Sequence, residues 1–141
     1  MDAISRRRIL PLIAASPLAI GLGACSSAGI KDAYTARDAE GRLKTKTFKT
    51  DKTEIHIIVE LVSGRDDVVL ILNLTVPEGA PPQLDKTEIA PGKGNNKIDV
   101  KLYIEDATGN RAETGPWASG DYKVDILLDG ELDQTLKFTV L

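Results

Sequence analysis

The strand pattern is clearest in residues 117–140, WASGDYKVDILLDGELDQTLKFTV. Apolar and polar side chains alternate over residues 122–128 and again over residues 136–140, the period of a β-strand with one buried face. Between these runs, Asp129-Gly130 is a residue pair that supplies positive φ angles in a two-residue turn. The stretch therefore predicts an antiparallel hairpin with one face in a core and one in water.

The same alternation recurs upstream, and no long helical pattern appears. Three further strands are predicted to bury these apolar sets: Ile55, Ile57, Val59 and Leu61; Val68, Leu70, Leu72, Leu74 and Val76; and Ile98, Val100, Leu102 and Ile104. Residues 63–66 (Ser-Gly-Arg-Asp) are interpreted as a hairpin loop between the first two. Weaker strands are predicted at 33–37 and 43–48, and a short one at 84–89. About seven short strands with regular turn signals predict an all-β, antiparallel β-sandwich.

Composition excludes several classes of protein. The chain has 141 residues, which suits one domain, and its net charge is −3. Its single Cys rules out a disulfide framework. One Cys and one His are also too few for a typical zinc site, which has several such ligands. The absence of a basic surplus argues against nucleic acid as a partner. The composition predicts no cofactor.

The N-terminal residues have the order of a secretory signal peptide. Arg6, Arg7 and Arg8 form a positive segment, and the apolar residues 9–22 follow. That apolar stretch is too short for a transmembrane helix, which needs about 20 residues. We therefore expect export from the cytoplasm.

The end of this segment, Leu22-Gly23-Ala24-Cys25, resembles a bacterial lipobox. The resemblance implies cleavage before Cys25 and attachment of acyl chains, such as palmitate, to that residue, which would make the membrane a partner of the protein. Two or more acyl chains hold a protein stably on a bilayer. The predicted organisation is a signal peptide at 1–24, a lipidated Cys with a short tether at 25–32, and the sandwich at 33–141.

Two further resemblances concern the export route and the destination. Residues 5–10, Ser-Arg-Arg-Arg-Ile-Leu, are similar to a twin-arginine export motif, although Pro11 stands where that family usually has Lys. The twin-arginine and Sec routes both remain open. Ser26, directly after the lipidated residue, implies the periplasmic face of the outer membrane rather than the inner membrane.

The C-terminal hairpin resembles bacterial immunoglobulin-like extracellular domains. The residues that carry the resemblance are Trp117, Gly120, Tyr122, Val124 and Ile126, followed by Asp129-Gly130 and by residues 138–140, Phe-Thr-Val. Residues 47–48 and 53–57 look like earlier strands of the same domains. The resemblance implies an immunoglobulin-like sandwich without the usual disulfide, and it specifies the fold better than the function.

Two polar-face residues are candidates for a contact surface, His56 and Tyr103. Alternation predicts that His56 faces solvent with Glu54 and Glu60 on the same strand, which favours surface charge pairing. The competing interpretation is a metal-binding or hydrolytic role for His56 with nearby acids. Tyr103 is predicted to point outward beside Lys101 and Glu105.

Other conspicuous side chains near the C-terminus have structural interpretations. Trp117 is expected to fill the core, and the Tyr122 hydroxyl to fix a turn, as a tyrosine corner does. The acids of the final hairpin do not have the spacing of a calcium loop. They are interpreted as solvated: Asp125, Asp129, Glu131 and Asp133.

These features favour a lipid-anchored, non-enzymatic protein of the bacterial cell envelope. Its sandwich is expected to bind or scaffold another envelope protein of unknown identity. One alternative is a small metal-binding or hydrolytic lipoprotein that uses His56. A second is a subunit of an exported machine, in which the domain pairs a strand edge with a partner.

Overall fold

The structure, a computed structural model, describes residues 29–63 and 67–141. These residues form ten β-strands: β1 (Ile30–Ala36), β2 (Thr47–Phe48), β3 (His56–Leu61), β4 (Leu70–Thr75), β5 (Gln83–Leu84), β6 (Glu88–Ile89), β7 (Lys97–Glu105), β8 (Arg111–Ala112), β9 (Gly120–Leu128) and β10 (Glu131–Val140). In that part of the chain no helix is long and apolar enough to span a bilayer.

The strands form two sheets that pack face to face. The first sheet has the order β2-β10-β9-β4-β6, and the second has the order β1-β3-β7-β5 with β8 paired to β7. Every pairing is antiparallel except that of β2 with β10, which is parallel. The predicted all-β sandwich is confirmed.

The predicted C-terminal hairpin is confirmed at its turn. Asp129 and Gly130 have φ angles of 51° and 88°, as a two-residue turn with two positive φ angles requires. β9 and β10 then pair from Leu128 with Glu131 to Gly120 with Val140, with one irregularity between Ile126 and Leu127. The hairpin is the longest pairing in the described chain.

Alternation places one set of side chains from each sheet between the two layers. The core includes the predicted inward residues Ile55, Ile57, Val59, Leu61, Val68, Leu70, Leu72, Ile98, Val100, Leu102, Val124, Ile126, Phe138 and Val140. The rings of Tyr122 and Phe138 stack at 5.0 Å, and Phe48 meets Phe138 edge-on at 5.5 Å. Burial of these apolar sets is the main stabilising contribution to such a sandwich.

The interpretation of residues 63–66 as a hairpin loop is wrong. β3 pairs with β1 and β7 in the second sheet, whereas β4 pairs with β9 and β6 in the first. The connection therefore crosses from one sheet to the other, although residues 64–66 themselves lie outside the described residues. Two adjacent strands with buried faces satisfy the same alternation whether they pair or face each other across a core.

Three predicted strand boundaries also differ. β1 begins at Ile30, which is buried, so the sandwich starts three residues before the predicted position 33. The strand predicted at 43–48 is reduced to β2, because residues 44–46 cross between the two sheets. The strand predicted at 84–89 is two strands, β5 on the second sheet and β6 on the first.

Candidate functional site

His56 lies at the start of β3 between two carboxylates. Its Nδ1 is 2.7 Å from Asp99 Oδ1, and its Nε2 is 2.7 Å from Glu54 Oε1. The side chain is 2% exposed. The prediction that His56 faces solvent is therefore wrong, and so is its assignment to a contact surface. The predicted charge pairing holds for Glu54, whereas Glu60 accepts a hydrogen bond from the Tyr34 hydroxyl at 2.7 Å.

A cover loop, residues 37–44, lies on this side of the second sheet, where the Glu40 carbonyl accepts a hydrogen bond from Lys97 Nζ. Asp38 shapes it by accepting hydrogen bonds from the backbone N–H groups of Arg42 and Leu43, at 3.0 and 2.8 Å. At its tip, Gly41 has a φ of 76° and is buried against Tyr34. A Cβ on Gly41 would lie 2.5 Å from the Tyr34 hydroxyl oxygen, so the close approach requires glycine.

The protonation state of His56 follows from its two partners. An ionised carboxylate can only accept hydrogen bonds, so both contacts are satisfied when both ring nitrogens carry a proton. Burial alone would lower the pKa of His56, but the hydrogen bonds and charges of Glu54 and Asp99 outweigh it and raise the pKa. A ring in that state has no free lone pair for a metal ion or a substrate proton.

Tyr103 is also buried rather than outward, with 7% of its surface exposed. The guanidinium carbon of Arg111 lies 3.9 Å from the centre of its ring, a favourable cation–π distance. Its hydroxyl donates to Gln83 Oε1 at 3.3 Å. Because β5 and β8 flank this end of β7, Tyr103 is not part of an open contact surface.

The structural interpretations of Trp117 and Tyr122 are confirmed. Trp117 is buried, and its Nε1 donates to the Thr53 carbonyl at 2.7 Å. The Tyr122 hydroxyl donates to the carbonyl of Ala118, four residues earlier, at 2.6 Å. Burial raises the pKa of Tyr122. Both side chains fix the segment that leads into β9.

Two of the four acids of the C-terminal hairpin accept hydrogen bonds from neighbouring strands, and Asp129 and Glu131 are exposed. Asp125 accepts a hydrogen bond from the Thr135 hydroxyl at 2.8 Å, and Asp129 accepts one from the Val69 N–H at 3.0 Å. Within residues 29–63 and 67–141, no group of three or more His, Cys, Asp or Glu side chains is arranged to hold a metal ion.

An open groove lies between the edges of the two sheets, where β1 approaches β10. Its volume is about 370 Å³. It is lined by Ala33, Tyr34 and Thr35 of β1, residues 44–46, and Thr135, Leu136 and Lys137 of β10. The strand predicted at 43–48 gave no indication of this groove, which exists because residues 44–46 cross between the sheets and only Thr47–Phe48 pairs with β10. The polar residues that interrupt apolar alternation at 44–47 were the available signal.

The proposed lipidation residues Leu22, Gly23, Ala24 and Cys25 lie outside the described residues. The described residues begin at Gly29, whose carbonyl accepts a hydrogen bond from Val62 N–H at 2.8 Å. The sandwich thus begins within four residues of Cys25.

Comparison with known proteins identifies the fold. The sequence matches no protein-family model and no curated protein. Among solved structures, the chain is similar to the D00–D0 domain of intimin, with a TM-score of 0.53 and 14% sequence identity. The match covers 94% of this chain and 54% of that one, so the chain spans about half the length of the structure it matches. The sandwich is immunoglobulin-like, as the sequence resemblance implied.

Proposed function

We propose that this chain is a lipid-anchored, non-enzymatic protein of the bacterial cell envelope, whose immunoglobulin-like domain binds or scaffolds another envelope component. The observation that carries the proposal is the resemblance of Leu22-Gly23-Ala24-Cys25 to a lipobox, four residues before the first described residue, Gly29. Ile30 is already in the core, at 2% exposure. Gly29 is four residue steps from Cys25, which span at most about 14 Å, so acyl chains on Cys25 would hold the domain close to the bilayer.

The geometry around His56 argues against a catalytic role. It is the only histidine in the chain, and both of its ring nitrogens face carboxylates. A general base must reach the proton of a substrate, whereas the His56 side chain is buried and both of its nitrogens are held by Glu54 and Asp99. These contacts support a structural role and count against the metal-binding or hydrolytic alternative.

Lipid anchoring is tested by replacing the acylated residue. Cys25→Ser should abolish incorporation of labelled palmitate and leave an unprocessed or soluble form, because no other cysteine exists in the chain. Ser26→Ala is the matched control, since it changes the adjacent residue and keeps the thiol. Equal labelling of the wild type and Cys25→Ser would overturn the anchoring proposal.

The destination is tested at the following residue. We propose that Ser26 directs the protein to the periplasmic face of the outer membrane. Ser26→Asp should therefore shift it to the inner-membrane fraction of a density gradient, with lipidation unchanged. The same distribution for Ser26→Asp and Ser26→Ala would contradict the assignment to the outer membrane.

A further inference from the structure

The C-terminal strand has a long open edge. On one side, β10 pairs with β9 from Glu131 to Val140. On the other side it pairs with β2 at Thr139 and Val140 alone. Because β2 has two residues, the segment from Glu131 to Lys137 has no strand along that side in the described chain. An unpaired edge presents backbone donors and acceptors to any extended chain that approaches.

The backbone groups that point out of this edge can be identified from its paired end. Thr139 N–H donates to the Lys46 carbonyl at 2.8 Å, and Leu141 N–H donates to the Phe48 carbonyl at 2.9 Å. Alternate residues of a strand direct their backbone groups to the same side. The pairing with β9 is regular from Val140 to Gln134, so the N–H and C=O groups of Thr135 and Lys137 face the open side.

The groove beside this edge combines an apolar floor with a cationic rim. Ala33 and Leu136 are half-buried and pack against the core, which gives an added strand an apolar surface to cover. Lys44 is engaged, with its Nζ 3.7 Å from Asp32 and 4.1 Å from the centre of the Tyr34 ring. The remaining lysines of the groove are on its rim.

Lys46 and Lys137 have no carboxylate partner among the described residues. Lys137 stands opposite Lys123 across the β9–β10 pair, but Lys123 is itself paired with Asp125 at 3.9 Å. Lys46 and Lys137 are therefore the exposed cations of this edge in a chain that is acidic as a whole. An acidic occupant would give both lysines the partner that they lack.

We propose that the open edge of β10 binds an extended segment of a partner protein by strand addition, with acidic side chains beside Lys137 and Lys46 and apolar side chains over Leu136 and Ala33. Directly opposed residues of neighbouring strands share a face, which sets this alternation. A second copy of the chain is a poorer occupant, because antiparallel pairing of two β10 edges would bring their lysines together. The inference rests on the proposed binding function and names its partner class.

The probe is a capped seven-residue peptide of alternating Val and Glu, added to the full chain, with a Val and Lys peptide as the charge control. Amide hydrogen exchange at Thr135 and Lys137 is the readout. We expect fast exchange in the protein alone and protection by the Glu peptide. The Val and Lys peptide lacks the two exposed charge pairs, so its affinity for the protein should be about tenfold lower. Lipidation does not enter this measurement, so its failure is distinct from failure of the anchoring proposal.

Variants locate the binding to the edge. Lys137→Glu should reverse the preference between the two peptides. Thr135→Pro removes an outward N–H, a change that an edge strand tolerates, and should abolish protection at Lys137. Lys86→Glu, an exposed charge change between β5 and β6, should bind the Glu peptide as the native chain does.

The proposal is overturned if the Glu peptide leaves both amides unprotected, or if the two peptides protect them equally. Protection that increases with protein concentration in the absence of peptide would identify a second copy of the chain as the occupant, which also overturns it. Unchanged binding by Thr135→Pro would place the peptide elsewhere.

Discussion

The imidazole of His56 links three parts of the second sheet. Its carboxylate partners come from the segment before β3 and from β7, and Asp38 of the cover loop has a pKa lowered mainly by its backbone hydrogen bond from Leu43, with a further contribution from the charge of His56. Lys101, opposite His56 on β7, is itself paired with Glu113 at 2.9 Å. Protonation of His56 therefore stabilises the contact between these strands and the cover loop.

Stability should fall as pH rises through the pKa of His56. The folded pKa is raised above the unfolded value of about 6.5, so the native state binds the proton more tightly. The contribution is complete below pH ~6.5 and is lost as pH rises through the folded pKa. Denaturant unfolding between pH 5 and pH 9 measures this slope. His56→Gln should flatten it and cost about 1–3 kcal/mol at pH 6; an unchanged slope in the variant would assign the effect to another group.

The Tyr122 hydroxyl provides a second test at this scale. Tyr122→Phe keeps the stacking on Phe138 but leaves the Ala118 carbonyl without its donor. We expect the free energy of unfolding to fall by about 1–2 kcal/mol. Tyr103→Phe is the matched control, since its hydroxyl contact is longer at 3.3 Å and its loss should cost less. Equal losses in thermal or denaturant unfolding would contradict the tyrosine-corner role.

Among the elements, β4 and β9 form the centre of the first sheet. Leu72 and Ile126 are paired directly across these strands, and both are fully buried. Because directly paired residues are neighbours on one face of a sheet, truncation of either side chain also changes the packing around the other.

Truncation of this pair should be costly and less than additive. Leu72→Ala and Ile126→Ala should each lower the free energy of unfolding by about 2–5 kcal/mol, and the double variant by less than the sum, because one enlarged cavity replaces two. Leu132→Ala, at a side chain that is 62% exposed, should change it by less than about 0.5 kcal/mol. Additive losses in denaturant titrations would show that the two sites relax independently.

The strand ends give the whole molecule two distinct poles. Gly29 packs against Leu128, since a Cβ on Gly29 would lie 2.6 Å from Leu128 Cδ2. The start of β1 therefore lies beside the Asp129–Gly130 turn. The nine residues of β9 then run to Gly120 at the other pole, about 27 Å away at ~3.4 Å per residue. Under the proposed anchoring, the pole with the turn faces the bilayer.

A fluorophore should therefore report different distances from the membrane at the two poles. Because Cys25 is acylated in the proposed form, a second cysteine at Asp129→Cys or Ser119→Cys can be labelled alone. Quenching by nickel-chelating lipids should be stronger at position 129. Equal quenching at both positions would contradict this orientation. Loss of quenching at both after Cys25→Ala would show that the lipid holds the domain there.

Local sequence determined the parts of this protein that depend on neighbouring residues. The two-residue period of residues 122–128 fixed which side chains face the core, since successive side chains of a strand point to opposite sides. Asp129-Gly130 fixed the turn because few residue pairs adopt two positive φ angles. The lipobox prediction rests on Leu22–Cys25 and stays a prediction.

The tertiary structure decided which segments meet. Alternation in β3 marked His56 as outward, but its side chain is buried and held between Glu54 and Asp99, which come from a different segment and a different strand. Equally, the open edge of β10 exists because residues 44–46 cross to the other sheet instead of pairing. Periodicity indicates which side chains share a face of a strand. Contacts between segments far apart in the chain decide whether that face is covered and whether a strand edge stays open. Such contacts have no signature in the local sequence.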